Sequence, residues 1–194
     1  MQRDRREMEM STDLLLTTAD ELFEMPSDGF RYELVRGVLQ KMSPAGGEHS
    51  EIALLIGSHL KLFVRQFKLG RVYGADGGFQ THSDPDTVLS PDVAFVSRER
   101  VQTIRDRRKF VPFSPDLAIE VLSPDDTYSK TINKIQDWLS AGTRAGVLVD
   151  PRKKLVSIYR PDTPVVTLDE SKALEVPDIV PGWLLPVSDI FQLD

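Results

Sequence analysis

Pro115-Asp116-Leu117-Ala118-Ile119-Glu120-Val121-Leu122-Ser123-Pro124 is the stretch on which the fold turns. A short apolar run containing β-branched residues and bounded by prolines reads as an interior β-strand. Side chains alternate along it, so Asp116, Ala118, Glu120 and Leu122 share one face and Leu117, Ile119 and Val121 the other. Glu120 stands in the middle of this run. A carboxylate there is costly unless it is paired or bound to a cation.

Working outward, the hydrophobic period changes on either side. Downstream, residues 125–141 read as a helix with Ile132, Ile135, Trp138 and Leu139 as its stripe and Gly142 as its stop. Asp125 and Asp126 suit its N-terminal end, and Ser123 is a candidate cap. Gly146 to Asp150 is then the next strand. Upstream, Asp92-Val-Ala-Phe-Val is another strand, opened by Pro91. Residues 48–68 read as a long helix with Ile52, Leu55, Ile56, Leu60, Phe63 and Phe67 on one face, and His59 reads as a core histidine beside them. Arg31 to Val35 and Val38 to Met42 flank Arg36-Gly37, a hairpin signal. Thr18 and Glu21 have capping-box spacing for a short helix. Residues 71–75, 79–82, 155–159 and 165–168 are further strand candidates, and the tail carrying Trp183, Leu184, Ile190 and Phe191 is expected to pack on the core. The expected fold is α/β, a mixed sheet flanked by helices with an N-terminal hairpin and C-terminal strands. One domain is expected over residues 13–194, after a frayed polar extension at 1–12.

The 194 residues include no cysteine. That excludes disulfide scaffolds, thiolate metal sites, iron–sulfur clusters and cysteine nucleophiles. No apolar run reaches about 18 residues and no secretory leader is visible at the start, so a cytoplasmic protein away from membranes is expected. The net charge of −6 argues weakly against a polyanionic partner, but it is unevenly spread. Residues 60–71 carry Lys61, Arg65, Lys68 and Arg71 with no acid; Lys61, Arg65 and Lys68 read as an ordinary polar helix face. Residues 97–110 carry Arg98, Arg100, Arg105, Arg107, Arg108 and Lys109 against Glu99 and Asp106. This segment joins the strands of Asp92 and Glu120, and reads equally as a solvated loop or as a contact for DNA phosphates.

If those two strands are neighbours, Asp92 and Glu120 converge. With a backbone carbonyl, taken as that of Val121, they would make a hard all-oxygen site suited to Mg2+ or Mn2+. Such an ion polarises a phosphodiester and activates water.

Pro91-Asp92 and the block from Pro115 through Glu120-Val-Leu-Ser-Pro124 resemble the PD-(D/E)XK nuclease superfamily, and more closely its Uma-type restriction endonuclease branch. Tyr32-Glu33-Leu-Val-Arg-Gly37, Ser43-Pro44 with His49, Lys134 with Trp138, Ala141-Gly142, Val149-Asp150-Pro151 and Pro181-Gly182-Trp183 extend the resemblance over about residues 17–191. The superfamily places a lysine two residues after the acid, where this chain has Leu122; in the Uma-type branch the matching lysine lies on the following helix, here Lys134. The resemblance implies a magnesium-dependent endonuclease that hydrolyses DNA and works as a homodimer. It implies Asp92 and Glu120 as metal ligands, Lys134 as the catalytic lysine and Glu33 as a further acid. Lys130, one turn before Lys134, and His49 are secondary candidates. Two other readings stay open: an inactive nucleic-acid-binding or interaction module on a nuclease scaffold, and a hydrolase of small phosphoesters.

Overall fold

The structure is a computed structural model and describes residues 16–123 and 127–192. The frayed extension expected at 1–12 lies outside these residues, as do Asp125 and Asp126. Helix α1 (Ala19–Glu24) begins at a capping box: the Thr18 hydroxyl accepts the Glu21 N–H at 3.2 Å, and the Glu21 carboxylate accepts the Thr18 N–H at 2.7 Å. Strands β1 (Arg31–Val35) and β2 (Val38–Met42) form the expected hairpin. Arg36 and Gly37 both take positive φ, 50° and 77°, as a two-residue turn of type I′ requires.

Helix α2 (Gly47–Phe67) leads to β3 (Gly70–Gly74), β4 (Phe79–His82), β5 (Thr87–Leu89) and β6 (Val93–Ser97). Then come α3 (Arg98–Thr103), β7 (Leu117–Val121), α4 (Tyr128–Ser140), β8 (Ala145–Asp150) and β9 (Leu155–Tyr159). The chain continues through β10 (Val166–Leu168), β11 (Ala173–Glu175), β12 (Leu184–Pro186) and α5 (Val187–Phe191).

The strands form a six-stranded sheet in the order β10-β9-β8-β7-β6-β3, a four-stranded sheet β2-β1-β5-β4, and the pair β11-β12. The large sheet is mixed. β7 and β8 are parallel, joined through α4, and its other pairs are antiparallel. The hairpin therefore belongs to a separate antiparallel sheet.

β7 is buried at all five positions, and its two faces meet different partners. Leu117, Ile119 and Val121 pack against Ile52, Ile56, Leu60 and Val64 of α2 and against Trp183, Leu185 and Ile190 of the tail. Ala118 packs with Phe79, Leu89, Ala94, Val96 and Trp138 on the other face. Each fully buried Ile or Leu in these layers contributes roughly 1.5–3 kcal/mol relative to exposure.

Local details depart from the sequence reading. Phe67 is 54% exposed and Val64 takes its place in the core, because Phe67 is the last helical residue and stacks on Phe63 instead. His59 is exposed, not a core residue; its Nδ1 accepts the Trp183 indole N–H at 3.0 Å. The N-cap of α4 is Thr127, so Ser123 does not cap it. Residues 98–103 are helical within the segment read as a loop. β5 is a three-residue strand that the sequence pattern did not mark, too short to display a period.

Candidate active site

β6 and β7 are adjacent, with Val93 opposite Ile119, so Asp92 arrives beside the C-terminal end of β7. The Val121 backbone N–H donates to Asp92 Oδ2 at 2.8 Å, and His49 Nε2, from the first turn of α2, lies 3.1 Å from the same oxygen. Asp92 is thus gripped from both sides, by β7 and by α2.

Glu120 faces the space between the two larger sheets, beneath α4. Its Oε1 accepts the Trp138 indole N–H at 2.7 Å and sits 3.3 Å from Lys134 Nζ. Trp138 and Lys134 are four residues apart on α4, which places both on one helical face. Glu33 enters from β1. Its Oε1 accepts the Ser90 N–H at 2.9 Å and is 2.9 Å from Lys134 Nζ. Lys134 also donates to the Ser90 carbonyl at 2.9 Å. Glu33 and Glu120 flank the ammonium as ion partners, and the Ser90 carbonyl accepts its hydrogen bond. The Ser90-Pro91-Asp92 link forms the hub of the cluster: Ser90 binds Lys134 and Glu33, and Asp92 binds β7 and α2.

The electrostatics follow from burial. Glu33 and Glu120 are 5% and 4% exposed. Burial pushes the Glu120 carboxyl above the usual range, Lys134 pulls it back, and Asp92 and Glu33 push it up again. For Lys134, burial works to lower the pKa, but Glu120, Glu33 and Asp92 together raise it above the ordinary lysine value. The lysine is held as a cation.

The structure thus brings together Asp92, Glu120, Lys134, Glu33 and His49. Val121 meets Asp92 through its N–H; the N–H and C=O of one strand residue point to the same side, so its carbonyl faces this rim too. Lys130 lies one turn before Lys134 and is exposed. Leu122, at the position where the superfamily has lysine, packs with Ile132 and Leu139 against Ile135 and Leu148.

The arginines of residues 97–110 divide. Arg100 pairs with buried Asp116 at 3.0 Å, donates to the Ser114 carbonyl and stacks on Phe113. Arg108 pairs with Asp106, whose carboxyl the neighbouring guanidinium and backbone N–H hold down to about 2. Arg98, Arg105 and Arg107 are exposed.

The sequence reading missed one residue of the cluster. Trp138 reads as a core anchor, but its N–H orients Glu120. The signal was its spacing from Lys134. Substitution Trp138→Phe removes this donor together with part of a fully buried ring. It should cost about 1–3 kcal/mol of stability in urea unfolding; a change below about 0.5 kcal/mol would show that the bond does not hold Glu120.

Among solved structures, the chain is similar to one described as a putative nuclease belonging to DUF820 from Anabaena variabilis ATCC 29413. The match has a TM-score of 0.76 and 25% sequence identity, and covers 90% of this chain and 97% of that one. The mixed sheet flanked by helices is a restriction endonuclease-like fold. No curated protein matches the chain. The model of the Uma2 family, described as "Putative restriction endonuclease", matches residues 19–188, and with Asp92, Glu120 and Lys134 gathered at the end of β7 the chain belongs to that family.

Proposed function

We propose that this protein is a divalent-metal-dependent endonuclease acting on DNA. The observation that carries the reading is the meeting of Asp92, Glu120, Glu33 and Lys134, drawn from four elements, at the end of β7. With all three carboxylates ionised, the form a bound cation would favour, they and the one lysine carry −3 + 1 = −2, the charge a divalent cation would balance. Each carboxylate has one oxygen engaged by the protein, and the second makes no hydrogen bond among the described residues. No three Asp, Glu or His side chains among the described residues enclose a metal position by themselves. Magnesium asks for less, since one or two carboxylates suffice when water and substrate phosphate complete its shell. The donor set fits Mg2+ or Mn2+ held by Asp92, Glu120 and the Val121 carbonyl.

When bound, such an ion supplies Lewis acidity and an activated water for phosphodiester hydrolysis. The chain's own residues do the positioning. Val121 and His49 fix one oxygen of Asp92, and Trp138 fixes one oxygen of Glu120. Lys134 contributes a permanent positive charge beside the place where the transition state gains negative charge. Held between Glu33, Glu120 and the Ser90 carbonyl, it acts through its field. Arg98, Arg105 and Arg107 are the arginines of residues 97–110 that meet the phosphate backbone in this reading; Arg100 and Arg108 serve their own carboxylates. Residues 13–194 form the nuclease domain, and the working form is a cytoplasmic homodimer, which light scattering would test. Among the described residues no helix is long and apolar enough to cross a membrane.

The decisive experiment is cleavage of duplex DNA in Mg2+ by the parent and by Asp92→Asn. The variant should lose at least about a hundredfold in rate while keeping the parent's circular dichroism. Equal cleavage by both proteins would overturn the mechanism. Absence of Mg2+ binding in calorimetry, with DNA present, would favour the inactive binding module.

A further inference from the structure

A second charged feature lies away from the carboxylates. A groove of about 630 Å³ runs between the C-terminal half of α2, strand β3 and helix α3. Five cations line it: Lys61, Arg65 and Lys68 from α2, Arg71 from β3, and Arg98 from α3. No acid lines it. All five are exposed, and none forms an ion pair among the described residues.

Arg105, Arg107 and Lys130 also form no ion pair among the described residues; what sets the five apart is that they are gathered around one concavity. Arg100, on the same short helix as Arg98, is paired with Asp116, and Arg108, Arg144 and Arg160 each have a carboxylate partner. The protein has a net charge of −6, so acids were abundant elsewhere. Five unpaired cations around one concavity repel each other, and a polyanion relieves that repulsion. Tyr73 also lines the groove; burial pushes its hydroxyl up, and Arg71 and Arg107 pull it partly back.

Position points to an extended ligand. β3 pairs with β6 with Gly70 opposite Ser97 and Gly74 opposite Val93. The groove runs along β3, and its cations Arg71 and Arg98 lie toward the far end of β6 from Asp92, about 14–20 Å away at 3.4 Å per residue. One strand of duplex DNA covers that distance in about five nucleotides. β3 is an edge strand, but its charged residue and bounding glycines discourage pairing with another chain.

We propose that this groove is a phosphate-backbone anchor for duplex DNA, separate from the carboxylate site and engaging the strand several nucleotides from the bond cleaved. The proposal rests on the nucleic-acid reading above. It extends the contact from Arg98 to the α2 cations, which the sequence reading took as an ordinary polar helix face.

The test is fluorescence anisotropy with a labelled duplex of about 30 base pairs, in EDTA, over a range of KCl concentrations. For Lys61→Gln/Arg65→Gln/Arg98→Gln, the log K against log salt slope should become shallower by about 2.7, at 0.9 for each phosphate no longer neutralised. Affinity at moderate salt should fall roughly tenfold or more, with thermal unfolding unchanged. The charge-matched control Arg144→Gln/Arg160→Gln/Lys154→Gln removes cations that already have carboxylate partners, and should change the slope by less than about one.

A groove variant that keeps the parent's slope and affinity would overturn the proposal. So would equal losses in both triple variants, which would reduce the effect to net charge. Loss of polyglutamate binding with DNA binding intact would assign the groove to an acidic protein instead. Failure of the nuclease reading would look different: the groove variant would still flatten the salt slope, while the parent protein bound DNA without cleaving it in Mg2+.

Discussion

Substitution Lys134→Met will destabilise the protein by about 3–5 kcal/mol. Methionine fills most of the lysine stem's volume, so packing changes little and the effect isolates the charge. The lysine ammonium lies 2.9 Å from Glu33 and 3.3 Å from Glu120, and both carboxylates are almost fully buried. Removing the cation leaves two buried carboxylates facing each other and Asp92, with the Ser90 carbonyl also losing its donor. At roughly 2–4 °C per kcal/mol for a chain of this size, thermal unfolding should drop by about 6–20 °C. Urea unfolding of the parent and variant measures this directly. The double variant Lys134→Met/Glu33→Gln should recover a substantial part of the loss, because one of the uncompensated charges is gone. A Lys134→Met protein within about 0.5 kcal/mol of the parent would show that the lysine does not compensate these carboxylates.

Substitution Glu120→Gln should separate stability from activity. Glutamine keeps the shape and an oxygen able to accept from Trp138 and Lys134. It removes a charge that burial and the neighbouring Asp92 and Glu33 both disfavour. Without added metal, stability should hold or rise by up to about 1 kcal/mol. DNA cleavage in Mg2+ should fall by two to three powers of ten, since a bound ion loses one of its two carboxylates and each tenfold is about 1.4 kcal/mol of barrier. Cleavage within threefold of the parent would remove Glu120 from the reaction. A loss of stability above about 2 kcal/mol would make its role structural.

Both predictions depend on contacts that the local sequence makes legible only in part. The period-two run from Leu117 to Val121, the Arg36-Gly37 turn, the Thr18–Glu21 capping box and the long α2 stripe are local signals, and each forms as its pattern requires. The costly position of Glu120 is legible for the same reason. Alternation alone puts it on the Ala118 face of a strand apolar on both sides. Phe67 and His59 mark the limit of that method. Periodicity assigns a face, but how far round the helix that face is covered depends on what packs on it: Phe67 ends the helix, and exposed His59 meets Trp183 of the tail instead of the core.

Sequence by itself indicated the fold class and singled out Asp92 and Glu120, whose meeting waited on their strands being neighbours, with Lys134 brought in by resemblance to its family. It did not determine the company they keep. Glu33 belongs to a hairpin in another sheet, and reaches Lys134 only because the four-stranded sheet packs beside β7. His49 reaches Asp92 because α2 starts at that rim, and Trp138 becomes Glu120's donor because α4 crosses above it. Tertiary structure also committed Arg100 to Asp116 and gathered Arg98 with the cations of α2 and β3 into one groove. Dihedral preference and hydrophobic period act over a few residues, so they fix each element and its buried face. Which side chains from distant elements meet at one point depends on strand order and packing, and those are settled by the chain as a whole.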